Sequence, residues 1–314
     1  MHCGFAGDWT SHLVAPSVSV GVPVWKAMRS FNMVGTRMKK WLAILAASLA
    51  AAGALVAVAP QAILQSVGLH PEFEGQRYLR PEGRALIIAT SHDRLGEGGA
   101  ETGVAASELT APYYELKGGR VDVDIASIRG GKIPFDPVTL SRFIRTHYDE
   151  RYLEDPVLQS KVQNSMRIDD IDFTRYDVIY LAGGWGAAYD LGQSEVLGRK
   201  ITEAWAAGKV VGGVCHGPLG LLRAKDESGQ PLVRGRRVTG VTDKQVAELD
   251  ISITPMHPER ELRAAGAVFE SATAFRDFFA NHVVVDGRLV TGQNQNAGAE
   301  VANLMMKAAG GTRR

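Results

Sequence analysis

The chain has 314 residues, with 35 Lys+Arg against 34 Asp+Glu and a formal net charge of +1. Hydrophobic residues make up 45% and charged residues 22%, an ordinary globular composition that excludes a disordered or collagen-like chain. A near-neutral balance without a basic block leaves no electrostatic footprint for nucleic acid. The 2 cysteines, Cys3 and Cys215, are too few for a disulfide framework or a multi-cysteine metal site. Sulfur chemistry, if there is any, falls to Cys215.

In chain order, residues 1–37 show no clear periodicity and read as an unstructured extension or a misassigned start. From Trp41 to Ala59 the chain is uncharged. As a helix at ~1.5 Å per residue that run reaches about 28 Å, close to the ~30 Å hydrocarbon core of a bilayer. Lys26, Arg29, Arg37, Lys39 and Lys40 precede it against a single acid, Asp8, and no charge follows until Glu72. The asymmetry predicts a membrane anchor within 38–62, with the amino terminus cytoplasmic and everything after Pro60 outside. Two other readings compete. Met38 begins a signal-like M-K-K-W-L and Ala57-Val58-Ala59 resembles a cleavage site, which would give a secreted product, although Pro60 fits cleavage poorly. A buried helix is the third reading. No cysteine stands near Ala59 to take a lipid.

Residues 63–84, polar and proline-bearing from His70 to Gly83, read as a linker to a catalytic domain over 85–310. Ala85–Thr90 is an apolar run of strand length, followed by a helix from about Thr102 to Lys117 and a strand from Val121 to Ser127. Residues 129–170 mix prolines, aromatics and charges without a strong period and read as an inserted lid or surface excursion. Asp177–Ala182 is a buried strand ending in Gly183-Gly184-Trp185-Gly186. A helix over 195–207 leads to the strand Lys209–Val214. A hairpin is built on Asp286-Gly287 within 283–290, and a helix over 297–308 closes the chain. Alternating strands and helices predict an α/β fold, a three-layer α/β/α sandwich with a mostly parallel sheet.

The strongest chemical signal is V-V-G-G-V-C-H-G-P-L, residues 210–219. A buried strand runs into Cys215, and small or turn-forming residues flank it before a helix resumes, the pattern of a nucleophile elbow. The unpaired N–H groups of the following helix would favour the thiolate. Gly183-Gly184-Trp185-Gly186 also ends a strand, and the N–H groups of Gly184 and His216 would form a two-donor oxyanion hole. Trp185 either covers the pocket or only packs.

The motifs T-S-H-D (90–93), T-G-V-A-A-S-E-L-T-A-P-Y-Y (102–114), G-G-K-I-P-F-D-P (130–137), G-G-W-G and V-C-H-G-P resemble the ThiJ/PfpI superfamily, as does the tail D-G-R-L-V-T-G-Q-N-Q-N (286–296). That superfamily has the class I glutamine amidotransferase-like, flavodoxin-like fold. The likeness covers about Ala85 to Ala308 and is closest to the branch holding glyoxalase III-type enzymes and chaperones. It implies a carboxylate, Glu108, close to Cys215, where it holds the thiolate by hydrogen bonding and shuttles protons. It gives His216 as the histidine beside the nucleophile, and Trp185 and His92 as residues of the substrate pocket. Trp185 stands where many members of the branch carry histidine. The third member of a triad is not legible, with Asp243 as the nearest guess. The resemblance also implies a homodimer.

Several functions follow. The first is a cofactor-independent enzyme on small reactive carbonyls: a glyoxalase III-like conversion of methylglyoxal to lactate, or a deglycase-type activity, needing neither metal nor glutathione. The second is an amidase or peptidase working through an acyl-thioenzyme. The third, a glutamine amidotransferase, is suggested by His257-Pro258-Glu259. Against it, Cys215 and His257 lie too close in sequence, and Pro258-Glu259 reads as the first turn of a helix through Arg263 closed by Gly266. The fourth is a chaperone or redox sensor using Cys215.

Overall fold

The computed structural model describes residues 38–54, 60–66 and 68–314. The chain divides into two units, one through Val58 and one from Ala59 to Arg314. In the first, 38–54 is a helix, α1, whose apolar side chains Trp41, Leu42, Ile44, Leu45 and Leu49 are exposed. Residues 55–59 of the expected membrane run, and the extension 1–37, lie outside the described residues. No helix among the described residues is long and apolar enough to cross a membrane.

The second unit opens with α2 (Pro60–Ser66) and a short strand, β1 (Tyr78–Leu79). The main sheet starts at β2 (Arg84–Ala89) and passes through α3 (Ala106–Gly118) to β3 (Asp122–Ser127). After α4 (His147–Leu153) and α5 (Pro156–Gln163) come β4 (Met166–Arg167), β5 (Val178–Leu181), the short α6 (Ala187–Asp190), α7 (Glu195–Ala206) and β6 (Val210–Val214). A side excursion carries β7 (Arg237–Val238), α8 (Asp243–Glu248), α9 (Pro258–Ala264) and β8 (Val268–Phe269). The hairpin β9 (Val283–Asp286) and β10 (Leu289–Gly292), then α10 (Gly298–Ala308) and β11 (Thr312–Arg313), complete the chain.

Seven strands in the order β4-β3-β2-β5-β6-β10-β9 form one sheet, parallel except where β9 runs against β10. Because strand side chains alternate faces, β2 sends Ala85, Ile87 and Ala89 into one core and Leu86 and Ile88 into the other. The first core is closed by α3 and α10, the second by Leu197, Ile201, Ala204 and Trp205 of α7. A central strand buried on both faces reads as a continuous apolar run, which is how 85–89, 178–181 and 210–214 read. The result is a three-layer α/β/α sandwich.

Three expectations are corrected. The helix foreseen from Thr102 begins at Ala106, because Val104 is held extended between the Pro134 carbonyl and the Asp136 N–H, at 2.9 Å each. The stretch 63–84 is not a free linker. Leu69 and Tyr78 are buried, and β1 pairs antiparallel with β11 at the other end of the chain. The excursion 129–170 is an ordered wall, with α4 started by a Thr146–Asp149 capping box and β4 added to the sheet edge.

The glycines before and after the nucleophile are required by close approach. A Cβ at Gly213 or at Gly217 would run into the Leu181 carbonyl of β5. Gly213→Ala is therefore expected to cost about 3 kcal/mol or more, by forcing β6 away from β5. The denaturation midpoint measures it, and an unchanged midpoint would contradict this packing.

Candidate active site

Strand β6 delivers Cys215 into the left-handed region, at φ 60°. A side chain there costs about 1–2 kcal/mol and persists only where the surroundings fix it. Here the Cys215 N–H donates to the Gly292 carbonyl and the Val241 N–H donates to the Cys215 carbonyl, both at 3.1 Å. The helix expected to follow is a 3-10 helix of 5 residues, Gly217–Leu221. A short helix carries little dipole, so negative charge on sulfur is favoured by the single N–H groups of Gly184 and His216 instead.

Glu108 lies in the first turn of α3 and is 1% exposed. The Gly183 N–H donates to its Oε2 at 3.0 Å, and its carboxyl hydrogen-bonds the Cys215 sulfur. Burial pushes this carboxyl up to about 8, against the hydrogen bonds from Cys215, Gly183 and Gly184. The turn that supplies those donors needs glycine: Gly184 has φ +88°, and a Cβ on it would collide with Ala105 N and the Gly103 carbonyl.

Burial, and next the adjacent Glu108 charge, raise the Cys215 thiol, while the Gly184 and His216 N–H groups lower it. The two acids cannot both ionise side by side, so they titrate as a pair. When Glu108 keeps the proton its repulsion disappears and its O–H becomes a third donor to sulfur. Burial therefore favours the protonated form of both groups in the free protein, and charge on sulfur is opposed least when Glu108 keeps its proton. The donors foreseen as an oxyanion hole, Gly184 and His216, thus address the nucleophile in the free protein.

The His216 imidazole is buried, with Nδ1 3.4 Å from Cys215 Sγ and its ring edge-on to Trp185 at 5.3 Å. Burial, with His257 nearby, lowers its pKa to about 3, so the ring is neutral. Its Nε2 has no hydrogen-bond partner among the described residues. Asp243 does not complete a triad: it is exposed at the start of α8, and its N–H donates to Glu259 Oε2 at 3.0 Å. Glu259 is also paired with Arg263 at 2.9 Å, and His257 precedes the first turn of α9. The His257–Glu259 pair therefore starts a helix, as the sequence reading held against an amidotransferase.

Above the thiol is a cavity of about 280 Å³ with Cys215, Glu108 and Gly184 among its lining residues. Trp185 lines it, as expected. His92 does not. Asp190 pins the T-S-H-D turn, accepting from the Ser91 N–H at 2.8 Å and the Thr90 hydroxyl at 2.9 Å, and His92 stacks on Tyr189 at 4.0 Å instead. Sequence reasoning missed other walls. Asp136, Thr139 and Ile144 come from the excursion, Gln245 and Leu249 from α8 and the turn after it, and Leu69 and His70 from the supposed linker. The Gln-Asn-Gln-Asn tail was the available signal for the last pair, since Asn296 holds the backbone of His70 at 2.9 Å. No group of three or more metal-ligating side chains occurs among the described residues.

A strained cysteine on a parallel sheet, faced by a buried protonated carboxyl, defines a class of α/β proteins with a nucleophile elbow. The chain matches the DJ-1/PfpI family over residues 100–308 and belongs to that family. Among similar proteins, a glutathione-independent glyoxalase of Schizosaccharomyces pombe is 28% identical over 243 residues, covering 72% of this chain and 96% of the relative. Glyoxalase 3 of Candida albicans is 25% identical over 233 residues, covering 72% and 98%. Among solved structures, Rapid Encystment Protein 24 KDa of Francisella tularensis superposes with a TM-score of 0.67 at 31% identity, covering 72% of this chain and 99% of that one.

The raised carboxyl has a consequence for stability. Below its ordinary pKa of 4.5, Glu108 is protonated in both folded and unfolded chains. Above it the unfolded chain ionises while the folded one keeps its proton to about 8, so stability is lost as pH rises through that window. Glu108→Gln is expected to stabilise the fold by up to about 4 kcal/mol near pH 8, with the gain vanishing below pH 4.5. Urea midpoints of both proteins at the two pH values test this, and equal midpoints at pH 8 would contradict it.

Proposed function

We propose that this protein is a cysteine-dependent, cofactor-independent glyoxalase that converts methylglyoxal to lactate. The observation that carries the reading is the Glu108 carboxyl, held protonated by burial and hydrogen-bonded to the elbow thiol in a small cavity. The glutathione-independent glyoxalases among its relatives support the substrate class.

The chemistry follows from that proton. Cys215 thiolate adds to the aldehyde carbon, and Glu108 donates its proton to the new alkoxide, giving a hemithioacetal. The sulfur is now neutral, so Glu108 is a carboxylate with no like charge beside it and takes the proton from the same carbon. That proton returns at the neighbouring carbon while the hydroxyl proton of the first carbon passes to the second oxygen, leaving a lactoyl thioester. Water adds to the thioester carbonyl, the C–S bond breaks, and lactate leaves with the thiol restored. Methylglyoxal and water are consumed and lactate is formed, with no external oxidant or reductant. In this reading the neutral His216 imidazole, whose Nδ1 is 3.4 Å from the sulfur, would orient that water.

Incubation of the full-length chain with methylglyoxal in the absence of glutathione should yield lactate. Cys215→Ala and Glu108→Gln should each lower the rate by about 100-fold or more. A wild-type chain whose Cys215 reacts with iodoacetamide but which makes no lactate would overturn the reading.

Its location is part of the same proposal: a single N-terminal anchor within 38–62 with the catalytic unit outside the cytoplasm. The exposed apolar side chains of α1 and the cluster of Lys and Arg before Trp41 support it. In cells, the full chain should resist alkaline carbonate extraction and be cleaved by protease added to intact spheroplasts. Release by carbonate would end the anchor reading.

A further inference from the structure

Among the residues lining the catalytic cavity, two have a buried polar side-chain atom with no hydrogen-bond partner among the described residues: Nε2 of His70 and Oε1 of Gln245. A buried polar atom left unpaired is unfavourable, so each calls for an explanation. His70 is also strained, at φ 51° in the left-handed region.

What holds it there is specific. The segment after α2 turns tightly, with the Leu69 N–H donating to the Leu64 carbonyl at 2.9 Å. The His70 N–H then donates to Asn296 Oδ1 at 2.9 Å, and Asn296 Nδ2 donates to the Phe278 carbonyl at 3.0 Å. One amide thus ties the segment before the sheet to the loop carrying Phe278, which also lines the cavity. The backbone of His70 is fixed while its Nε2 is left unpaired. Burial lowers the imidazole to about 4, so the ring is neutral and Nε2 is free to carry a hydrogen.

A 2-oxoaldehyde has two oxygens. The Glu108 carboxyl and the Gly184 and His216 N–H groups serve the carbon attacked by sulfur and its oxygen. Nothing in that set serves the second oxygen, on the ketone carbon, where negative charge gathers when the first carbon loses its proton. The electrons of the broken C–H bond form the C=C bond of an enediolate, and the carbonyl pair moves onto that second oxygen. Gln245 Oε1 is an acceptor and suits a hydroxyl or a water rather than this charge.

We propose that His70 Nε2–H hydrogen-bonds the ketone oxygen of a short 2-oxoaldehyde, making the segment before the sheet a substrate-recognition element of the active site. The proposal rests on the glyoxalase reading and adds to it the residue that distinguishes a 2-oxoaldehyde from a simple aldehyde. The hydrogen bond strengthens as the enediolate forms, and no proton leaves His70.

The test uses the full-length chain with His70→Phe, His70→Gln and His70→Asn. The Gln amide nitrogen reaches the place of imidazole Nε2, and that of Asn does not. His70→Phe and His70→Asn are expected to lower kcat/KM for methylglyoxal at least tenfold, with His70→Gln restoring most of it. A second readout is protection of Cys215 from iodoacetamide. Methylglyoxal should protect the Phe variant about tenfold less well than the wild type, while propanal, which lacks the second oxygen, should protect both equally. Wild-type turnover in the Phe variant overturns the proposal and leaves the glyoxalase reading standing. Equal loss of protection by both aldehydes shows a merely structural role and overturns it too. If the wild type makes no lactate, the glyoxalase reading falls, and selective loss of methylglyoxal protection still supports His70 as the recognition residue.

Discussion

The structure depends on one buried contact, the Glu108 carboxyl against the Cys215 sulfur. Two acids out of water beside each other are unfavourable whenever both are charged, and burial pushes each toward its protonated form. Keeping them together takes three segments. The first turn of α3 carries the carboxyl, the end of β6 carries the thiol in a strained conformation, and the Gly183-Gly184 turn donates to the carboxyl. These segments interlock: the extended residues 102–105 that lead into α3 pass so close to Gly184 that no side chain fits there. Moving any one of them would separate the acids, and each acid would then be a buried group with its partner lost.

That arrangement makes the electrostatics change sign of effect during a reaction. In the proposed reaction, charge on the attacking sulfur would hold the proton on Glu108. Once sulfur has bonded to carbon that charge would be gone, and with it what opposes ionisation of Glu108. The same carboxyl would then be an acid in one step and a base in the next, without moving. The elbow donors need no reorganisation either, because the N–H groups of Gly184 and His216 already face the place where charge sits. The His216 imidazole is neutral, with Nδ1 against the sulfur and Nε2 without a hydrogen-bond partner among the described residues, so no carboxylate there orients it.

The parts of this architecture legible in the sequence are those encoded locally. β2, β5 and β6 are buried on both faces and read as apolar runs, and the elbow announces itself because a strand, a cysteine and glycines follow one another. Glu108 was reached by resemblance, since α3 is buried almost all round from Ala106 to Leu116 and shows no amphipathic period to mark its inner face or its start. Non-local features stayed hidden. Tyr78–Leu79 looks like linker because its partner, Thr312–Arg313, is at the far end of the chain. His92 sits in a motif near the site, but a stacking partner, Tyr189, decides where its ring goes. Asp243 begins a helix that turns Gln245 and Val246 inward and leaves Asp243 exposed, which could not be seen in V-T-D alone.

The chemistry of the cavity lining follows one rule. Burial drives Glu108, Asp136 and Cys215 up and His70 down, so every titratable group there with a resolved shift is moved toward its neutral form. Amides brace part of the shell behind the cavity, beside the Lys244–Asp277 ion pair at 2.7 Å. Gln293 exchanges two hydrogen bonds with Ala272 at 2.9 and 3.0 Å, Asn294 donates to Ala280, and Asn296 fixes His70. An amide holds a backbone as firmly as a carboxylate or an ammonium does, but brings no net charge. A unit charge at ~8 Å would act on the thiol with about 2 kcal/mol at an effective dielectric constant of ~20, more than one pKa unit. The amide brackets add no charge of their own to the balance between Cys215 and Glu108. They also leave a cavity without a fixed counter-charge, which suits a small uncharged carbonyl compound better than the anionic acid it would become.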